Sequence, residues 1–149
     1  MVSHLRDTPE VRLGLWGLLV NGVWEFAHSP LYADWGREWT YLVWTRFHCS
    51  VGDVLILLSA FWVASLACGS RSWLNDRRPV PIVVFGLIGF GYTAWSEMYN
   101  TSVRFSWGYA ESMPRLFGLG VTPLAQWIVI PVLLVWCWPK LRVFSRRVT

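Results

Sequence analysis

Charge is scarce in this chain of 149 residues: Asp, Glu, Lys and Arg together make up 15%, against roughly 25% in soluble globular domains. Beside 54% hydrophobic residues and 12 Trp, so little charge excludes a water-soluble domain. It equally excludes the polar, weakly hydrophobic composition of a disordered chain. Lysine is nearly missing: Lys140 stands against twelve Arg, a balance that fits a GC-rich genome. Cysteine is limited to Cys49, Cys68 and Cys137, which give neither a disulfide framework nor a paired metal-binding motif. Repeats and low-complexity tracts are absent. At this length one domain, 1–149, is expected, and the composition makes it a small integral membrane protein.

A membrane-crossing helix needs about 20 mostly apolar residues, and four stretches qualify. Leu13 to Tyr32 is broken only by Glu25, while Val54 to Ser70, Pro79 to Ser96 and Leu116 to Pro139 carry no charge. These predict spans at about 13–32, 54–70, 79–98 and 117–138. Pro131 falls inside the last and is expected to kink it; Pro123 lies near its start, where a missing N–H costs little. A cleaved signal peptide is the competing reading of the first stretch, but Glu25 and Pro30 are poorly placed for processing.

Arginine and lysine orient the bundle. The N-terminus, the second connection and the C-terminus hold nine of them, from Arg6 and Arg12 through Arg71, Arg77 and Arg78 to Lys140, Arg142, Arg146 and Arg147. The first and third connections hold four: Arg37, Arg46, Arg104 and Arg115. Both termini are therefore expected in the cytoplasm of a multi-pass protein of the cell membrane, with a bacterial inner membrane as the expected location. The net charge of +4 follows from this asymmetry, so the basic pI does not imply nucleic acid as a partner.

The two outer connections are rich in rings: Tyr32, Trp35, Trp39, Tyr41, Trp44 and Phe47 in the first, Phe105, Trp107 and Tyr109 in the third. Most suit an aromatic belt at headgroup depth. Trp35, Trp39 and Val43 recur at helical spacing, which predicts a short interfacial helix in the first outer loop.

Ionisable groups within spans are costly and tend to face a bundle interior or cavity. Glu25, Asp53 and Glu97 come from three different spans, yet the predicted orientation puts all three at the same outer level. Asn21, Glu25, His28 and Tyr32 share one helix face, and Gly86, Gly89, Thr93, Glu97 and Asn100 share another. Asp53 lines up with Ala60, Ala64 and Ala67, small residues that let helices approach. Gln126 lies on the outer part of the fourth span. Asp53 also admits a plainer reading, as a first-turn carboxylate favoured by the helix dipole, and His48 as an interfacial side chain. The fold expected is an all-α four-transmembrane-helix bundle, small-packed near the cytoplasm and open to the outside around a polar pocket.

Acid/base chemistry is the first expectation for that pocket. Glu25, Glu97 and Asp53 are the candidate catalytic groups, because a carboxyl in an apolar site is a ready proton donor and its neighbour an acceptor. Asn21, His28, Tyr32, His48, Trp24, Trp95, Tyr99, Asn100, Trp107, Tyr109 and Gln126 are the candidate substrate contacts, the rings stabilising positive charge. Isomerisation, cyclisation or hydration of an isoprenoid or sterol-like lipid fits. Asn21-Gly22-Val23-Trp24-Glu25 resembles the Trp-Glu helix motif of integral-membrane terpene cyclases; the resemblance covers five residues, and those enzymes have more spans.

Two other classes stay open. Glu25-x-x-His28 has the spacing found in di-iron carboxylate bundles, so Glu25, His28 and His48 are the residues a metal would take; no cofactor is otherwise expected. A non-catalytic subunit or assembly factor, pairing through its Gly/Ala faces within a homo-oligomer or a larger membrane complex, is the remaining alternative. The bilayer itself and a lipid-like molecule are the expected partners.

Overall fold

The computed structural model describes residues 8–147, with side chains through Lys140. The described residues are mostly helical (76%). Its elements are α1 (Pro9–His28), a 3-10 turn (Ser29–Leu31), α2 (Trp39–Cys68), α3 (Trp73–Asp76), α4 (Pro79–Ser102), a hairpin of β1 (Arg115–Leu116) with β2 (Leu119–Gly120), and α5 (Val121–Arg147). Among the described residues, three helices are long and apolar enough to cross a membrane: α2, α4 and the Val121–Lys140 part of α5. Helix α1 is 20 residues long but carries Glu10, Arg12, Glu25 and His28. Arg6 lies outside the described residues.

Local chemistry sets the boundaries. Pro9 and Pro79 open their helices, where a missing N–H is harmless. Helix α2 ends at Gly69, whose φ of 64° allows the following Ser70 N–H to reach back to the Ser65 carbonyl at 3.1 Å. Helix α5 continues through Pro131 and Pro139.

Helix α2 departs from the expected layout. No separate interfacial helix exists: residues 33–38 are turns and a bend, and from Trp39 the chain is one helix of 30 residues, roughly 45 Å long. Asp53 and Arg46 are accordingly interior residues of a helix, neither a first-turn carboxylate nor a loop cation. The dipole reading of Asp53 is thereby removed, since that effect fades within the first turn. The outer part of α2 instead exposes Trp39, Trp44 and Phe47.

The cytoplasm-proximal end, as oriented from the sequence, is dry and aromatic. Trp73 of α3 is fully buried, donates to Ser65 Oγ at 3.0 Å and stacks on Phe61 with ring centroids 5.5 Å apart. Trp138 donates to Asn75 Oδ1 at 2.9 Å and lies under the Arg12 guanidinium. Leu13, Leu57, Ala60, Ala64, Phe85, Ile130 and Leu134 complete this core. Helices α4 and α5 meet where the Trp127 ring seats on Gly89: a Cβ there would lie 2.0 Å from the ring.

At the opposite end the two outer loops join. Ala33 N–H donates to the Gly108 carbonyl at 3.0 Å and Ala110 N–H to Leu31 at 2.9 Å, around an isolated Tyr32–Tyr109 bridge.

Gly89→Ala should therefore cost about 1–3 kcal/mol, because the added methyl would fall 2.0 Å from the Trp127 ring and force the packed indole to shift. Gly86→Ala, with nothing within 4 Å of the added methyl, should be neutral or stabilise by about 0.4–1 kcal/mol. Thermal unfolding in detergent compares the two; equal melting temperatures would contradict the packing described.

Candidate functional site

Above the dry core lies a cavity of about 770 Å³, within the usual 300–1,000 Å³ of ligand sites. Every long helix contributes a polar group to its wall: Glu25 from α1, Arg46, His48 and Asp53 from α2, Thr93, Glu97 and Asn100 from α4, and Gln126 from α5. Asp34 and Trp107 reach it from the joined loops.

The floor is a hydrogen-bonded amide network. Gln126 Nε2 donates to Asn21 Oδ1 at 2.9 Å and to Asp53 Oδ2 at 2.7 Å. Asn21 Nδ2 donates in turn to the Gly17 carbonyl, four residues back, at 2.8 Å. Glu25, 6% exposed, has His28 Nε2 3.3 Å from its Oε1. Glu97 accepts a hydrogen bond from the Tyr109 hydroxyl, and it lies close enough to Glu25 for their charges to interact, as Asp53 does with both.

Tyr109 is held by the hairpin. A Cβ on Gly120 would meet its ring at 2.9 Å, so only glycine admits this approach. Burial, followed by the hydrogen bond to Glu97, raises the Tyr109 pKa and keeps the phenol a neutral donor.

Arg46 anchors the other side. It is 3% exposed, donates from Nε to Ser29 Oγ at 2.9 Å, forms an ion pair with Asp34 and lies over the Tyr32 ring at 5.1 Å. Ser29 Oγ is itself fixed by donating to the Glu25 carbonyl at 2.7 Å. Sequence reading missed Arg46 and Asp34 as site residues because both were assigned to a loop. The available signal was the spacing of Arg46, Cys49 and Asp53, which share one face once the helix is extended towards Trp39.

The structure brings most of the expected residues together. Glu25, Tyr32, His48, Asp53, Asn100, Glu97, Trp107 and Gln126 line the cavity; His48 does so from an exposed position near its mouth. Asn21, His28 and Tyr109 stand behind these as supports. Three residues do not join. Trp95 and Tyr99 stack on each other, centroids 5.5 Å apart, on the exposed side of α4. They lie two positions from Glu97, a spacing that turns them away from it on a helix. Trp24 packs edge-on against His28 at 6.3 Å and does not line the cavity. Among the described residues, no three His, Cys, Asp or Glu side chains are grouped as a metal site, and Cys49, Cys68 and Cys137 are free thiols.

Arg46→Lys should cost about 1.5–3 kcal/mol, because an ammonium cannot serve Ser29 and Asp34 and stack on Tyr32 together. A double-mutant cycle with Asp34→Asn should return a coupling of at least about 0.5 kcal/mol; additive costs would dismiss the pairing. No protein-family model, curated protein or solved structure matches this chain.

Proposed function

We propose that the protein is a four-span membrane protein that admits a lipid-like molecule from the bilayer and holds its polar end among Glu25, Asp53 and Glu97, where acid/base isomerisation, cyclisation or hydration is carried out. The observation that carries this reading is the continuity of the cavity. Its wall runs from the buried carboxyls to Leu55 and Ser59 of α2 and Ile88 and Tyr92 of α4, which are exposed on the outer surface of the helix pair. An apolar chain in that groove would stay in contact with lipid while its polar end reached the chamber.

Helix α1 is counted as the fourth span because Leu15, Leu19 and Val23 expose one apolar stripe along it. Its ionisable residues Arg12, Glu25 and His28 are all buried inside the bundle, as intramembrane charges normally are. In this reading both termini are cytoplasmic, the chamber opens towards the outer side, and the membrane is a bacterial inner membrane.

Isomerisation and cyclisation need only the residues already present, and hydration consumes one water besides. A protonated member of the carboxyl group delivers a proton to one carbon of the substrate, and an ionised neighbour takes one from another. Isomerisation then leaves the proton count of the protein unchanged. Tyr109 holds Glu97 by a hydrogen bond and His28 lies against Glu25, so each carboxyl has a fixed orientation, which general acid/base catalysis requires.

Mass spectrometry of the lipids that copurify with the protein is expected to find one defined isoprenoid or sterol-like species in excess; bulk phospholipid alone would favour a subunit or assembly role. Glu25→Gln and Glu97→Gln should each lower turnover of that species by about 10²–10⁴-fold in folded protein. Full turnover in both would remove the acid/base role. In a background without native cysteines, Glu38→Cys should react with an impermeant thiol reagent from outside the cell and Asp76→Cys only after lysis; the reverse pattern would invert the orientation.

A further inference from the structure

The cavity has an imbalance of charge that bears on which lipid it takes. Glu25, Asp34, Asp53 and Glu97 line it, against Arg37 and Arg46. Arg46 is already matched by Asp34 and stacked on Tyr32. Arg37 is exposed and lies over the Tyr41 ring at 4.8 Å, at the watery edge of the loop. Among the described residues Glu25, Asp53 and Glu97 have no Arg or Lys ion pair; their contacts include His28, the Gln126 amide, the Tyr109 hydroxyl and, at Glu97, the Trp107 indole.

A second observation points the same way. Thr93, 8% exposed, lines the cavity, and its hydroxyl oxygen is buried without a hydrogen-bond partner. The three carboxyls present oxygens to the cavity, and the Thr93 hydroxyl, which can donate or accept, is buried in the same wall without a protein partner. Tyr92 and Trp107 add ring surface to the same wall, and aromatic faces attract cations. An ammonium offers three donors and no acceptor, which suits such a wall. A phosphate or carboxylate head would set its oxygens against those of the three carboxyls and would face like charge wherever they are ionised.

Resting on the lipid-pocket reading above, we propose that the ligand is a cationic amphiphile: an apolar body ending in a protonated amine, whose N–H groups are received by Glu25, Asp53 and Glu97. The body lies in the α2/α4 groove, and the amine stands where acid/base chemistry would otherwise develop positive charge.

Three probes sharing one chain separate the possibilities: hexadecylamine, hexadecan-1-ol and hexadecyl phosphate, titrated onto the full-length protein in detergent and followed by native mass spectrometry. The amine is expected to bind at least about tenfold more tightly than the alcohol, with the phosphate weakest. Asp53→Asn and Glu97→Gln, near-isosteric changes, should each reduce the amine's advantage to within about threefold. Glu10→Gln, on an acid paired with Arg71 outside the cavity, should leave it intact. If a carboxyl variant fails to fold, the ranking of the probes on the unaltered chain still decides. The alcohol or phosphate binding as tightly as the amine would overturn the inference and leave the lipid pocket standing. Binding of none of the three would overturn both.

Discussion

The side-chain amide of Gln126 has two hydrogens, and both are used inside the protein. One goes to Asn21 on α1 and the other to Asp53 on α2. Asn21 is oriented by its own bond back to Gly17, which commits its oxygen to accept and leaves Gln126 no choice but to donate. Three helices are thereby fixed in register at one level by side-chain hydrogen bonds, with Asn21 and Gln126 buried. A buried polar group left unpaired there would cost about 1–3 kcal/mol. Below this level the core is largely apolar, with indole hydrogen bonds at Trp73 and Trp138, and above it lies the cavity with its carboxyls.

That division follows from how the ends are closed. At the inner end α3 brings Trp73 under α2 and α4, and Trp138 closes the side towards α1, so large rings fill the space between helices. Gly89 lets Trp127 take up volume that a larger residue on α4 would need. No comparable filler occupies the outer end. The groups that meet there are carboxyls and hydroxyls, which keep their distance unless bridged, and the buried cationic side chain among them, Arg46, is tied to Ser29 and Asp34 at the edge. The cavity is what remains.

Much of this was readable along single helices. Asn21, Glu25 and His28 were expected on one face and are all buried on it; Gly89, Thr93 and Glu97 behave likewise. Such stripes are legible because helical spacing is local and an ionisable residue in an apolar run demands a reason. What was not legible needed contacts between distant segments. Arg46 reads as a loop charge until α2 is known to start at Trp39, since rings, Arg and Glu near a predicted boundary fit an interfacial segment equally well. Tyr109 was expected at the site as a substrate contact; its place in the structure, holding Glu97 and leaning on Gly120, depends on a hairpin of two-residue strands that periodicity does not reveal. Trp95 and Tyr99 were misassigned by nearness in sequence, although their offset from Glu97 already turned them outward.

The walls of the cavity differ in what it takes to part them. The roof is backbone bonded to backbone, Ala33 to Gly108 and Ala110 to Leu31, with Tyr32 and Tyr109 beneath. Lifting it breaks those bonds and disturbs the support of Glu97. On the side, between α2 and α4, the lining at Leu55, Ser59, Ile88 and Tyr92 is side chain alone and partly exposed. Widening that groove needs rotamer changes, which occur in picoseconds to nanoseconds at exposed positions, and leaves the helical hydrogen bonds intact. Access between α2 and α4 leaves in place the element that orients Glu97, whereas access through the roof does not. The loop bridge that fixes Tyr109 on Glu97 is thus the costlier of the two walls to part.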